Sequence, residues 1–218
     1  VKQPKPIISF ADYQRLFNVI VTVLNGAEAH TANACVFFSI AGSYILDKVY
    51  GVNARPLAGA AFYRVDDKAD FVIAFTDMEA FKDEQVASHN QAFHAWIECD
   101  GMVIDLMAPI FRESVLSRQP DSKLRIERKM FQKPKSEMVE SPFDLHREGD
   151  FYLEVNPILT NELIRKFMSR AQNVDLVDIC KYWYRPNPKA IESEIGMYSN
   201  DGIKTFMKLD KTELVGKW

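Results

Sequence analysis

The dipeptide Asp100-Gly101, set between apolar runs at 93–99 and 102–106, constrains the fold of this chain more than any other feature. Asp-Gly suits the two-residue turn whose twist matches a pair of antiparallel strands. With those residues as the loop, Cys99 faces Met102, Ile97 faces Ile104 and Trp96 faces Asp105. Side chains alternate, so one face carries Phe93, Ala95, Ile97, Cys99, Met102, Ile104 and Leu106, all apolar. The other face is mixed and carries His94, Trp96, Glu98, Val103, Asp105 and Met107. A three-residue loop would turn Asp105 away; the clean apolar face selects the two-residue register.

That register makes His94 and Asp105 diagonal neighbours, with backbones about 7–8 Å apart, near enough for a carboxylate to meet an imidazole edge. A second segment supplies a partner. Residues 33–50 are apolar almost all round their first three turns, with Ser39, Gly42 and Ser43 small enough for close approach. They predict a central helix against a sheet, closed by Gly51. Asn33 or Thr31 can cap it, which places Cys35 in the first turn, where free N–H groups and the helix dipole favour thiolate. The same N–H groups can receive the oxygen of a tetrahedral intermediate, with Asn33 or His30 as side-chain donors. Thiol, imidazole and carboxylate then have the roles of nucleophile, base and orienter.

Around this centre the pattern is mixed. Ser9 starts an amphipathic helix through Phe10, Tyr13, Leu16, Phe17, Ile20, Val23 and Leu24, a periodicity that favours a helix over a signal h-region. Runs at 57–65 and 71–75 form a first hairpin around 66–69. Residues 112–149 are charged and hold Pro120, Pro134 and Pro142, so they read as surface connections with one edge strand near 124–131, or as a linker. A strand follows at 151–155, then a helix capped by Thr160 and reaching about residue 171. Helices at 176–183 and 188–195 come next, separated by Pro186 and Pro188. The expectation is one α+β domain over 1–218.

Composition removes several functions. A net charge of -3 provides no basic field for nucleic acid or an anionic membrane. No apolar run approaches the roughly 18 residues of a membrane span. Three cysteines, an odd number, argue against a disulfide framework and for the cytoplasm. Cys99 and Cys180 read as core residues. No glycine-rich phosphate loop is present, and no cofactor is expected. Cys35, His89 and His94 are the only convenient metal ligands and lack zinc spacing, so no metal is expected. His89 could replace His94 as base; Glu98 reads as solvated, and His146 as a loop residue.

Cys35 at a helix start, Gly51-Val52-Asn53-Ala54-Arg55 leading into a strand, His94-Ala95-Trp96-Ile97-Glu98, and Asp105 on the next strand together resemble the core of transglutaminase-like cysteine enzymes, within the broader papain-like fold. The resemblance covers residues 31–109. It implies a central helix carrying Cys35, packed on an antiparallel sheet carrying His94 and Asp105, with additional C-terminal helices. It implies acyl transfer through a thioester: an amide or ester hydrolase, a peptidase or an acyltransferase, with peptides and proteins among its substrates. Asn33, His30, Trp96 and Arg55 are the candidate oxyanion or substrate contacts, with packing beside the cleft the alternative for Trp96 and a structural ion pair that for Arg55. The chain departs from the family in Asn33-Ala34-Cys35-Val36, where Gly-x-Cys-Trp is common, and residues 112–218 match nothing in it. A binding protein that keeps the fold without turnover is the alternative. The sequence does not specify an oligomeric state.

Overall fold

A computed structural model describes residues 5–198 and 202–218. Helix α1 (Phe10–Gly26) starts at Ser9, whose side chain accepts the Asp12 N–H. Helix α2 (Cys35–Ile45) continues as a wider turn over Leu46–Tyr50 and ends at Gly51, whose φ of 68° is the left-handed geometry that glycine tolerates. Gly42 lets α2 lie close on the sheet: a Cβ there would come within 2.2 Å of Leu106 Cδ1.

The sheet is mostly antiparallel. Strand β1 (Arg55–Asp66) pairs with β2 (Phe71–Phe75), β3 (His94–Cys99) and β6 (Phe151–Val155) along successive stretches. Gly59 faces both His94 and Val155, while Ala61 faces both Phe75 and Leu153. A residue has only two edges, so β2 and β3 must share one edge of β1, with β6 on the other. Beyond β3 come β4 (Met102–Asp105), β5 (Lys129–Pro134) and the short parallel β9 (Gly216–Lys217). A separate hairpin, β7 (Glu194–Tyr198) with β8 (Lys204–Lys208), lies against α1.

The Asp100-Gly101 hairpin has the expected register, Cys99 opposite Met102 and Ile97 opposite Ile104. Both turn residues have positive φ, as the twist-matched turn requires. Ala95, Ile97, Ile104 and Leu106 form the helix-side core with α1, α2 and α6 (Ala171–Trp183). The mixed face is also dry. Trp96 and Val103 pack there with Tyr63, Phe75, Phe111, Ile126 and Phe131. Met107 departs from the expected face and joins the helix-side core, because β4 ends at Asp105 and alternation stops there.

Four expectations in the C-terminal half are corrected. The strand expected at 124–131 is β5, displaced toward the C-terminus, and it lies inside the sheet between β4 and β9. Residues 112–149 are more than surface connection, since they supply β5 and the buried Ile126, Phe131 and Leu145. Helix α5 (Pro157–Met168) is capped by Asn156, not Thr160. Thr160 instead bonds Ala58 N at 2.9 Å and Ala58 O at 3.1 Å, fastening α5 to β1. Residues 188–195 form turn and the start of β7, not a helix; the Trp183 indole N–H donates to Glu192 O across this connection.

Candidate active site

His94 opens β3 and Asp105 closes β4, so tight pairing brings both to the end of the hairpin opposite its turn. His94 Nε2 and Asp105 Oδ2 are 2.6 Å apart. A carboxylate can only accept, which assigns the Nε2 proton to histidine. The second carboxylate oxygen accepts the Met107 N–H at 2.9 Å, so the acid is held at both ends.

Cys35 begins α2. Its residue before, Ala34, offers no side-chain cap, contrary to the expected Asn33 or Thr31; Thr31–Asn33 is instead a short 3-10 turn leading into the helix. The first N–H groups of α2 therefore carry no cap at the thiol. Cys35 belongs to the helix-side core, whereas the rings around His94 belong to the opposite one; thiol and imidazole meet where the strands end. With Nε2 bound to Asp105, Nδ1 is the nitrogen left for Cys35. The thiol acts on the protonation of the ring, yet Nδ1 has no partner at hydrogen-bond geometry. The pair is in electrostatic range with its bond not closed.

Burial opposes charge on His94, but the charge and hydrogen bond of Asp105, reinforced by Cys35, outweigh it and raise its pKa from 6.5 to about 10. A shift in that direction favours the imidazolium at neutral pH. The site is nearly closed: His94 is 0% exposed, Asp105 1% and Cys35 6%.

Four aromatic residues complete the surroundings without any sequence motif. Phe75 stacks on the imidazole with centroids 4.4 Å apart, and Tyr63 and Phe111 present edges at 5.8 and 5.9 Å. Tyr13 of α1 donates its hydroxyl to Asp105 O and accepts the Phe131 N–H at 3.3 Å, tying α1 to β4 and β5. Burial, then the nearby Asp105 charge, push both tyrosine hydroxyls well above their ordinary pKa, so both stay neutral; the Tyr63 hydroxyl has no hydrogen-bond partner.

The other candidates divide. His30 and Asn33 are exposed on the segment that enters α2, beside the thiol in sequence. Trp96 is 0% exposed, its face covered by the aromatic core, so it packs and does not line a cleft. Arg55 faces Glu98, four positions along β1 from Gly59, the partner of His94. At about 3.3–3.4 Å per residue it stands far from the triad. Glu98 is half-buried and pairs with Lys135 at 2.8 Å. His89 is spent on its own loop, accepting the Gln91 N–H and facing Asp77 at 3.5 Å. Cys99 and Cys180 are buried free thiols, as their patterns predict.

A hollow of about 1020 Å³ lies between the 65–69 turn and residues 123–129, away from these residues. A groove of about 330 Å³ lies closer, between β2 and α4 (Phe111–Arg118), and includes Phe75 in its wall. No helix among the described residues is long and apolar enough to cross a membrane.

One family model matches residues 9–218, which takes in every element of this site. The chain is also similar to a crystal structure described as "The crystal structure of genomics APC5867", with 31% sequence identity and a TM-score of 0.85 over 99% of this chain and 98% of that one. Comparison with curated proteins gives no match. The family match spans nearly the whole sequence, so the chain belongs to the family described as Protein of unknown function (DUF2026).

Proposed function

We propose that this protein is a thiol-dependent acyl-transfer enzyme, an amide or ester hydrolase, peptidase or acyltransferase, on a papain-like core of the transglutaminase-like kind. One observation carries the reading. The buried 2.6 Å contact between His94 and Asp105 fixes the imidazole so that its free nitrogen is left for a thiol at a helix start. Three free cysteines suit a reducing compartment such as the cytoplasm.

The chemistry follows from those positions. Cys35 Sγ, as thiolate, bonds to the carbonyl carbon, and the carbonyl oxygen takes the negative charge toward the uncapped N–H groups of α2. His94 gives its Nδ1 proton to the leaving amine or alkoxide as the C–N or C–O bond breaks, leaving a thioester. Neutral His94 then takes a proton from water or an amine as that acceptor attacks. The C–S bond breaks, and thiolate and imidazolium are restored. Asp105 holds the ring orientation throughout and stabilises the imidazolium.

The near-complete burial of the three side chains favours a second reading, a binding protein with the same fold and no turnover. Iodoacetamide labelling of Cys35 against pH, in the wild type and His94→Ala, separates the two. Enhanced labelling at neutral pH that His94→Ala loses supports the activated nucleophile; equal, slow labelling in both proteins overturns it. Turnover of acyl donors with water or amine acceptors, abolished by Cys35→Ala, would exclude a purely binding role.

A further inference from the structure

The groove beside Phe75 has an unusual wall. Side chains of successive strand residues point to opposite faces, yet all five residues of β2 line the groove. A strand can do that only by presenting its backbone edge. Among the described residues β2 pairs with β1 alone, so this edge carries outward N–H and C=O groups. Helix α4 stands opposite, with Val115 giving an apolar surface, Gln119 an amide and Arg118 a cation. Arg118 is the only charged residue in the lining, and no acid offsets it.

The groove wall also contacts the candidate site. Phe75, at the end of β2, stacks on His94 at 4.4 Å and holds the Arg118 guanidinium 5.6 Å from its ring centre. Ser114, on the opposite wall, donates to Ala32 O at 2.9 Å, three residues before Cys35. Two residues of the groove wall, Phe75 and Ser114, thus contact the base and the segment that delivers the nucleophile.

We propose that the β2–α4 groove binds an extended acidic peptide as an added strand on β2, with a carboxylate side chain paired to Arg118 and the acyl carbonyl directed past Phe75 to Cys35. Main-chain hydrogen bonds supply affinity in this mode and the side-chain pockets supply selection. Arg118 presents a planar fork that a carboxylate matches with two hydrogen bonds. The proposal rests on the acyl-transfer reading for its chemistry, but the binding stands on the groove.

Pentapeptides blocked at both ends, with one position fixed as glutamate, glutamine or lysine and the others mixed, would be captured on immobilised Cys35→Ala protein. Glutamate should be enriched at least ten-fold over glutamine at one position, and Arg118→Gln, an exposed change, should erase that preference. N-methylation of alternate peptide nitrogens should abolish capture, whereas a side-chain-only site would tolerate it. Equal capture of glutamate and glutamine peptides, capture indifferent to N-methylation, or no capture of any peptide would overturn the proposal. Capture without turnover by the wild type would leave the groove standing and remove the enzyme reading; ester turnover without peptide capture would do the reverse.

Discussion

His94 is charged by its neighbours against the pull of burial, and that gives the site a pH signature. Its pKa is raised from 6.5 to about 10, so the stability it contributes is full below pH 6.5 and is lost as pH rises through about 10. For a fully buried ring the contribution is on the order of a few kcal/mol. Urea unfolding of the wild type and His94→Asn should therefore show a gap that is widest near pH 6.5 and narrows toward pH 10. A gap independent of pH would refute the charged state. That His94 and Asp105 would meet could be found from strand alternation. Phe75 and Tyr63 could not, because an aromatic residue in a strand pattern does not announce which ring it will meet. Phe111 carried still less signal, standing just before a region that reads as surface connection.

Among the elements, α1 and α2 set the precision of the site. Tyr13 is an ordinary apolar-face position of α1 by its spacing, but its hydroxyl bridges Asp105 O and Phe131 N across two strands. Tyr13→Phe leaves both buried groups short of a partner and should cost about 1–3 kcal/mol. Lower Cys35 labelling should accompany that loss if β4 shifts Asp105; unchanged unfolding by urea would show that the bridge carries no weight. Gly42 is the matching device under α2. An added methyl meets Leu106 and Ile97 side chains, so Gly42→Ala should destabilise by about 1–3 kcal/mol through overpacking, measured in the same titration. The need for small residues along α2 was legible from Ser39, Gly42 and Ser43. The shift of β5 and the cap at Asn156 were not, because proline and charge marked breaks without saying which backbone groups would pair.

For the whole molecule, the closed site and the origin of its cover matter most. Cys35 is 6% exposed, and Ser114 fastens α4 to the 31–33 turn that leads into it. A small reagent should therefore reach the thiol far faster than a bulky one: iodoacetamide should label Cys35 at least ten-fold faster than a fluorescein maleimide does, relative to their rates with unfolded protein. Equal normalised rates would mean that the site opens freely. The C-terminal half is part of the scaffold, since it supplies β5, β6 and β9 to the sheet and α6 against α2. Removing 112–218 should accordingly leave a chain with no cooperative thermal transition, measured by circular dichroism. An intact transition would make the N-terminal part independent.

The sequence by itself determined the helix start at Cys35, the two N-terminal hairpins, and the register that joins His94 to Asp105. These are local matters of period and turn chemistry, each written within a few residues. Only the tertiary structure decided that the mixed face would be dry, that Arg55 would stand apart, and that β2 would offer an edge to a groove beside His94. Those outcomes depend on contacts between residues far apart in the chain, as with Tyr13 and Asp105 or Thr160 and Ala58. Such pairings follow from which surfaces remain to be buried once the local elements exist, and no short stretch of sequence contains that information.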